Sequence, residues 1–195
     1  GTSYNVGGTG LVSSSGAGGA ITLAIIRDDW DTSGDDVSTC DVSTITYMSY
    51  MFDNATAFNQ DVSEWDVSAV TTMQNMFYRA TAFNQDISGW NVSNVTTMKN
   101  MFHNVTLSTE NYDALLIAWD ALELQNNVAF SGGNSKYTTG SAAARANIIA
   151  TDSWTITDGG SIPSMTITSA QVTTGATSND PTLSLTFTSS EATSN

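Results

Sequence analysis

A 25-residue repeat in the middle of the chain constrains the fold more than any other feature. Residues 51–75 read MFDNATAFNQDVSEWDVSAVTTMQN, and residues 76–100 read MFYRATAFNQDISGWNVSNVTTMKN. A third copy opens with MFHNVT at residue 101, and the two full copies differ at only seven of 25 positions. A fixed period of about 20 to 50 residues indicates structural units that stack on one another and share a core.

A degraded copy precedes the regular ones. Residues 36–50 align with residues 61–75, and Cys40 stands where the later copies have Trp65 and Trp90. The terminal copy of a stack is expected to diverge, because it closes one end of the core. We therefore expect the array to begin near residue 26 and Cys40 to be a core residue.

Two apolar spacings occur within one copy. Ile87, Trp90 and Val92 have the spacing of a leucine-rich-repeat strand, with alternate side chains on opposite faces. Met98 and Met101, with the adjacent phenylalanine, follow the i, i+3, i+4 spacing of a helical turn. The sequence thus predicts an α/β solenoid, a leucine-rich-repeat-like stack of strand, turn and short helix. The expected core residues of this copy are Phe83, Ile87, Trp90, Val92, Val95, Met98, Met101 and Phe102.

The string FNQDxSxWxVSxVTxMxxMF, at residues 58–77 and 83–102, resembles the repeat of the BspA-type leucine-rich-repeat surface proteins. The resemblance covers roughly residues 26 to 160. It implies an extracellular adhesion or structural role, often within a much larger protein. It implies no catalytic residues.

Sequence downstream of the repeats changes character but still alternates between helix and strand patterns. Residues 107–125 form an amphipathic pattern, with Ser108 or Thr109 as N-cap. A strand and turn at 126–134, a helix at 141–150 and a strand at 154–158 follow. We expect residues 101–160 to be the divergent C-terminal part of the solenoid, after copies at 26–50, 51–75 and 76–100.

The two ends of the chain have other compositions. Residues 161–195 are rich in Thr and Ser, with alternating runs at 164–172 and 181–190 that predict two strands. They resemble the start of a bacterial immunoglobulin-like module of large adhesins, an all-β sandwich. Residues 1–25 form a Gly- and Ser-rich segment or cap, and the apolar run at 20–26 favours a strand. Without an initial Met or signal peptide, we expect an internal or processed fragment.

Composition excludes several classes of function. The chain carries 19 acidic and only five basic residues, for a net charge of -14, which argues against nucleic-acid binding. One cysteine excludes an internal disulfide, and no apolar run reaches the length of a membrane span. The single histidine, His103, occupies a position held by Asp53 and Tyr78 in other copies, so we expect a surface residue and no enzyme.

One acidic segment suggests calcium. Asp29, Asp31 and Ser33, followed by Gly34, match the first half of an EF-hand loop. The twelfth position is Cys40 instead of the required Glu, so a complete EF-hand is excluded. Either Asp35 or Asp36 closes a different oxygen cage, or the segment is a solvated acidic loop.

A polar ladder is expected on the outward face of the stacked strands. It consists of Asp41, Ser43, Asp66, Ser68, Asn91 and Ser93. Stacked strands lie about 4.8 Å apart, so Asp41 and Asp66 either share a cation or basic partner or are screened by solvent. Such a face suits hydrated contacts with sugars or proteins, although it lacks an aromatic platform.

Four Asn-x-Ser/Thr sequons mark possible glycosylation sites at Asn54, Asn91, Asn94 and Asn104. Chance predicts about as many in a chain so rich in Asn, Ser and Thr, so the sequons alone do not indicate glycosylation. A eukaryotic secretory pathway would nevertheless modify them. Glycosylated Asn91 would cover part of the polar ladder.

Two functions are consistent with these observations. The first is a non-catalytic extracellular surface or filament protein, acting as structural spacer and adhesion module. The second is a recognition module that binds a glycan or protein on the polar ladder, with or without calcium. Expected partners are other extracellular proteins, copies of the chain itself or glycans.

Overall fold

The computed structural model describes residues 37–38 and 40–163 with their side chains, and the backbone of five short strands outside that range. The chain divides into two compact units, Gly1–Ser161 and Ile162–Asn195. Within the described residues, no helix has the length and apolar character needed to cross a membrane.

Three short strands lie within the first 25 residues. They are β1 (Ser3–Asn5), β2 (Leu11–Ser14) and β3 (Ile21–Thr22), paired antiparallel in the order β1-β2-β3. Tyr4 lies opposite Val12. The apolar run at 20–26 therefore includes a strand, as its sequence predicts.

Backbone hydrogen bonds join each copy to the next in an unchanged register. The amide of Thr71 donates to the carbonyl of Thr46 at 2.8 Å, and the same bond recurs one copy later. Parallel β-bridges pair Tyr47 with Thr72 and Thr72 with Thr97. Because the paired residues are 25 apart in sequence, each copy lies directly against the preceding one.

The prediction of an α/β solenoid of strands and short helices was wrong. Residues 40–108 contain turns and isolated bridges, and no α-helix or extended strand. The two helices of the described region begin only after the repeats, and its one parallel sheet has two strands. The copies therefore stack as turn-rich loops.

Competition for backbone amides explains why the predicted helical turn is absent. The amides of Phe52 and Asn54 donate to the carbonyls of Met76 and Tyr78 in the next copy, both at 2.7 Å. The amide of the intervening residue donates to Tyr50 in its own copy at 3.3 Å. An α-helix requires successive amides to bond four residues back in the same chain segment. Amides that alternate between two copies cannot satisfy this requirement.

Left-handed residues bracket this segment and its equivalents in the two copies that follow. Positive φ angles occur at Tyr50 (66°), Asn75 (56°) and Asn100 (57°), and four residues later at Asn54 (62°), Arg79 (59°) and Asn104 (62°). Asparagine adopts this conformation more readily than other non-glycine residues. A left-handed residue also ends a helical turn. The spacing between the two positions leaves room for a single turn.

Stacked phenylalanine rings form the centre of the repeats. Phe77 lies between Phe52 and Phe102, with ring centroids 5.3 and 5.4 Å away. Phe58 and Phe83 form a second column, 6.0 Å apart, and Phe83 also stacks on Phe77 at 3.9 Å. All five side chains are buried. The copies therefore share one continuous aromatic core.

The core predicted for residues 76–100 and the two residues that follow is confirmed, because all eight expected side chains are buried. Trp90 also donates its indole N–H to the carbonyl of Val62 in the preceding copy, at 2.9 Å. Trp65 donates in the same way to Val37 at 3.0 Å. Cys40, at the equivalent position, is half-buried and packs against this core.

The regular elements follow the repeats. They are α1 (Thr109–Asp120), β4 (Ala129–Ser131), α2 (Ala142–Thr151) and β5 (Thr155–Thr157), with β4 and β5 parallel. The amides of Met98 and Phe102 donate to Ala129 and Ser131, each at 3.1 Å. β4 is therefore hydrogen-bonded to the segment that joins copy 76–100 to the residues opening the next copy. The helix and strand types predicted for this segment are confirmed.

A column of asparagine side chains leads from the repeats into α1. Oδ1 of Asn59 accepts from the amide of Asn84 at 2.8 Å, and Oδ1 of Asn84 accepts from the amide of Ser108 at 2.7 Å. Ser108 is also the N-cap of α1, where its hydroxyl accepts from the amide of Asn111. Helix α1 therefore begins at Thr109, the position equivalent to Asn59 and Asn84, and its N-cap Ser108 lies one residue earlier.

The second unit contains two described strands, β6 (Met165–Thr168) and β7 (Thr186–Ser189), which pair antiparallel with Ile167 opposite Phe187. Both lie inside the runs that predicted strands. The immunoglobulin-like sandwich was wrong, because the described residues of this unit form one two-stranded pair and no second sheet. A sandwich requires two packed sheets.

We expect Tyr50→Asn and Arg79→Asn each to raise the free energy of unfolding by about 0.5–1 kcal/mol, because asparagine is less strained at positive φ. Urea denaturation monitored by circular dichroism measures the change. Tyr47→Asn is the matched control: Tyr47 is 44% exposed against 42% for Tyr50, and its φ is not positive. A gain of the same size in the control would contradict the explanation.

Candidate functional surface

The structure places the six residues of the polar ladder at equivalent points of three successive copies. Asp41, Asp66 and Asn91 are exposed, and the serines that follow them are half-buried. The predicted alternation with buried neighbours is present, since Val67 and Val92 are almost fully buried. Whether the ladder binds a ligand remains a prediction.

Each ladder acid or amide caps a tight turn of its own copy. Oδ1 of Asp41 accepts from the amide of Ser43 at 3.0 Å, and Oδ1 of Asp66 accepts from the amide of Ser68 at 3.0 Å. Asn91 does the same for the serine two residues on, at 3.1 Å. This Asx-turn satisfies an amide that has no strand partner. The ladder therefore has a structural role besides any binding role.

Sequence reasoning missed that this turn occurs twice in each of the copies 51–75 and 76–100. Asp61 accepts from the amide of Ser63, and Asp86 accepts from the amide of Ser88, both at 2.9 Å. The signal was present in the sequence, because Asp-x-Ser recurs five residues apart in DVSEWDVS. Paired Asx-turn motifs favour turns over a strand.

Hydrogen bonds lower the pKa values of the two ladder carboxylates. The hydroxyl of Ser43 and then its amide lower the pKa of Asp41. The hydroxyl and amide of Ser68 lower the pKa of Asp66, while the charge of Asp41 acts in the opposite direction. The ladder therefore carries two negative charges that sense each other across adjacent copies.

All four sequon asparagines are exposed. The side-chain amide of Asn94 donates to the carbonyl of Ser68 at 2.8 Å, and that of Asn54 donates to Asp53 at 2.6 Å. The side chain of Asn91 accepts from the amide of Ser93 in its own turn. Glycosylation at these positions remains a prediction.

The predicted calcium segment, Asp29, Asp31, Ser33, Asp35 and Asp36, lies outside the described residues. Calcium binding there stays a prediction. Among residues 37–38 and 40–163, no group of three or more His, Cys, Asp or Glu side chains is arranged to hold a metal ion.

His103 is exposed, as its variable position predicts. Its ring stacks on the ring of Tyr78, the equivalent residue of the preceding copy, with centroids 4.8 Å apart and planes 11° apart. The guanidinium of Arg79 lies 5.1 Å from the centroid of the same tyrosine. This aromatic and cationic contact was not expected from the sequence.

A buried ion pair follows the repeats, and sequence reasoning missed it. Arg145 Nε donates to Oδ2 of Asp158 at 2.7 Å, and the exposed fraction of the Asp158 side chain is 3%. The Tyr112 hydroxyl donates to the same oxygen at 2.9 Å, and burial followed by the Asp158 charge raises the pKa of Tyr112. The network joins α1, α2 and the residue after β5. A lone arginine in the alanine-rich sequence SAAARANIIA was the available signal.

A second carboxylate joins the two helices. Asp113 accepts from the amide and hydroxyl of Thr138, at 2.9 and 2.6 Å, and from the hydroxyl of Ser141. Ser141 precedes α2 as its N-cap and is fully buried. Burial raises the pKa of Asp113, but the Ser141 and Thr138 hydrogen bonds together lower it below its ordinary value. Asp113 and Asp158 therefore each have a structural role, because their hydrogen bonds hold the two helices together.

We expect Asp158→Ala to lower the free energy of unfolding by about 3 kcal/mol, because it leaves the Arg145 charge and the Tyr112 hydroxyl buried without a partner. Urea denaturation measures the loss. Asp152→Ala, at the half-buried C-cap of α2, is the control and should cost less than about 1 kcal/mol. Equal losses would show that the ion pair is not a main support of this region.

We expect Asp113 to make stability depend on acidic pH. Its folded pKa is lowered, so its contribution is complete above the ordinary value of 3.8 and is lost as the pH falls through the folded pKa. The difference in unfolding free energy between wild type and Asp113→Asn should therefore shrink on acidification below that value. Ser141→Ala, which removes one donor, should weaken this dependence; an unchanged difference across the acidic range counts against the assignment.

Comparison with known proteins gives one family. The family model described as "Mycoplasma protein of unknown function, DUF285" matches residues 24–139. Neither a curated protein nor a solved structure matches the chain significantly. The matched range contains the repeats, the polar ladder, α1 and β4.

Proposed function

Because this chain belongs to the family described as Mycoplasma protein of unknown function, DUF285, we propose that it is a non-catalytic protein of the extracellular surface. In this proposal the stacked copies act as a structural spacer and adhesion module, related to the BspA-type surface proteins. Its partners are other extracellular proteins, further copies of itself or glycans.

The observation that carries this proposal is the repetition of the same contacts from copy to copy. Copies 51–75 and 76–100 each present the same backbone donors, the same indole donor and the same stacked phenylalanine to their neighbours. Units that depend on neighbours for burial form one cooperative body. A body of this kind sets a fixed distance between the parts of a surface protein on either side of it.

Charge and polar chemistry support the same proposal. The net charge of -14 keeps the surface hydrated and opposes nonspecific association with polyanions such as nucleic acid. The carboxylates with lowered pKa values at residues 41, 66 and 113 are held by neighbouring Ser and Thr groups in turns and helix contacts. The lowered pKa values of these three carboxylates are thus accounted for by structural hydrogen bonds, without a catalytic role.

The alternative is a recognition module acting through the polar ladder, with or without calcium. The observation that favours it is the exposure of Asp41, Asp66 and Asn91 at matching points of successive copies. Hydrated polar side chains in register suit a glycan or a polar protein surface. The two proposals differ in whether attachment to a partner requires the negative charges of the ladder.

Antibodies against residues 37–161 should label intact cells of the source organism, and deletion of the gene should reduce attachment to host or neighbouring cells. We expect the double variant Asp41→Asn and Asp66→Asn to restore attachment fully, because a spacer does not use these charges. Asparagine keeps the Oδ1 acceptor of the Asx-turn, as the native Asn91 does. Folding is therefore preserved while the charge is removed.

An inserted extra copy of residues 76–100 is the matched length control, because its ends meet the same neighbours as the native copies. It should fold and also restore attachment. Loss of attachment in the double variant alone would replace the spacer by the recognition module. Cells that remain unlabelled while the protein is expressed inside them would overturn the surface proposal.

A further inference from the structure

Aromatic and basic side chains lie on, or next to, the short segments between the left-handed residues of the copies. We call Tyr50, Tyr78, Arg79, Lys99 and His103 the turn-face cluster. Arg79, Lys99 and His103 are exposed, Tyr50 is 42% exposed and Tyr78 is half-buried. The cluster belongs to a different segment of each copy from the polar ladder, and the buried Met73 separates the two segments in sequence.

The copies bring these side chains into register. The amide of Arg79 donates to the carbonyl of His103 at 2.8 Å, which fixes the Tyr78 and His103 rings beside each other. The Arg79 guanidinium lies over the Tyr78 ring, a cation–π contact. At the neighbouring layer, Gln74 donates to the Tyr50 hydroxyl at 3.1 Å. Flat rings and a cation are therefore held together on a preorganised backbone.

This concentration of positive charge contrasts with the rest of the chain. Only five Lys and Arg residues occur against 19 acidic residues. Within the described part of the chain, Arg145 is engaged by Asp158, whereas no ion pair holds Arg79 or Lys99. Arg79 lies over the Tyr78 ring, on which His103 stacks, so a cation and the single histidine of the sequence meet on an acidic protein. Charges that remain exposed in this way favour the capture of an anion.

Comparison of the copies indicates that the backbone conformation at residue 79 does not require arginine. The equivalent left-handed positions hold Asn54 and Asn104, which suit the positive φ better. Tyr50 similarly departs from Asn75 and Asn100 at the other left-handed position. Both departures from asparagine put a side chain of the cluster at a strained backbone position. Residues held in strained backbone conformations are concentrated at binding sites.

We propose that the turn-face cluster binds an anionic saccharide, a sugar that carries a carboxylate or sulfate group. The Arg79 guanidinium supplies the planar donors that pair with such an anion, and Lys99 adds a second charge. The exposed rings of His103 and Tyr50 supply apolar faces for the C–H face of a sugar ring. A simple inorganic anion uses only the charge, and a neutral sugar uses only the rings. This binding is independent of the spacer role.

Isothermal titration calorimetry on the full chain at low ionic strength tests the proposal. The probes are a dextran sulfate oligosaccharide, an oligogalacturonate, neutral dextran of matched length and poly-L-glutamate. We expect at least one anionic saccharide to bind, with affinity that falls as salt is added. The two anionic saccharides distinguish sulfate from carboxylate, and neither neutral dextran nor polyglutamate should bind comparably.

Arg79→Asn is the decisive variant, because it inserts the residue of the equivalent positions and is expected to stabilise the fold. It should weaken saccharide binding by at least about tenfold, as should His103→Asp, which copies the residue at position 53. Lys136→Gln makes the same change in net charge outside the cluster and should alter affinity less than about twofold. Retained affinity in Arg79→Asn, no binding by either anionic saccharide, or equal binding of polyglutamate would each overturn the proposal.

Discussion

The structure depends on one constraint: successive backbone amides alternate between a hydrogen-bond partner in the next copy and one in their own copy. Around Phe52, every second amide donates to a carbonyl of the next copy, and the intervening amides donate within their own copy and close local turns. Neither a helix nor a broad sheet uses its amides in this way. The arrangement satisfies the backbone with turns alone, provided that another copy lies alongside. Left-handed asparagines make the required turns, and stacked phenylalanines fill the space behind them.

The amino-acid sequence predicted the stacking and the core but not the backbone conformation. The period of 25 located equivalent positions, and residues such as Trp90 and Phe102 are buried as expected. α1 was predictable because Ser108 precedes a long stripe at helical spacing. The strand and helical turn within each copy were not, since apolar spacing does not reveal which partner an amide chooses. Asparagine before and after the Met-Phe pair was the overlooked sign of positive φ.

The candidate surfaces show a similar division. The polar ladder was visible in the sequence because it needs only alternation, and its exposed acids lie where alternation places them. Its Asx-turns required recognition of Asp-x-Ser as a local motif. The stack of Tyr78 on His103 depends on the exact register between copies. Aligning the copies side by side pairs such residues, but their identities differ at each layer, so no repeated motif marks the site.

The array of copies ends where a serine takes the place of asparagine as the amide donor in the asparagine column. Asn59 and Asn84 each offer an amide oxygen to the next layer, until the receiving amide belongs to Ser108 and a helix starts. A copy inserted before residue 101 would preserve the contact with Ser108. Its own asparagine would accept from Ser108 in place of Asn84, and its amide at that position would donate to Asn84. Duplication and loss of whole copies can thus alter the reach of the molecule between generations, while the terminating helix is inherited unchanged. Length and closure are separately mutable traits in this architecture.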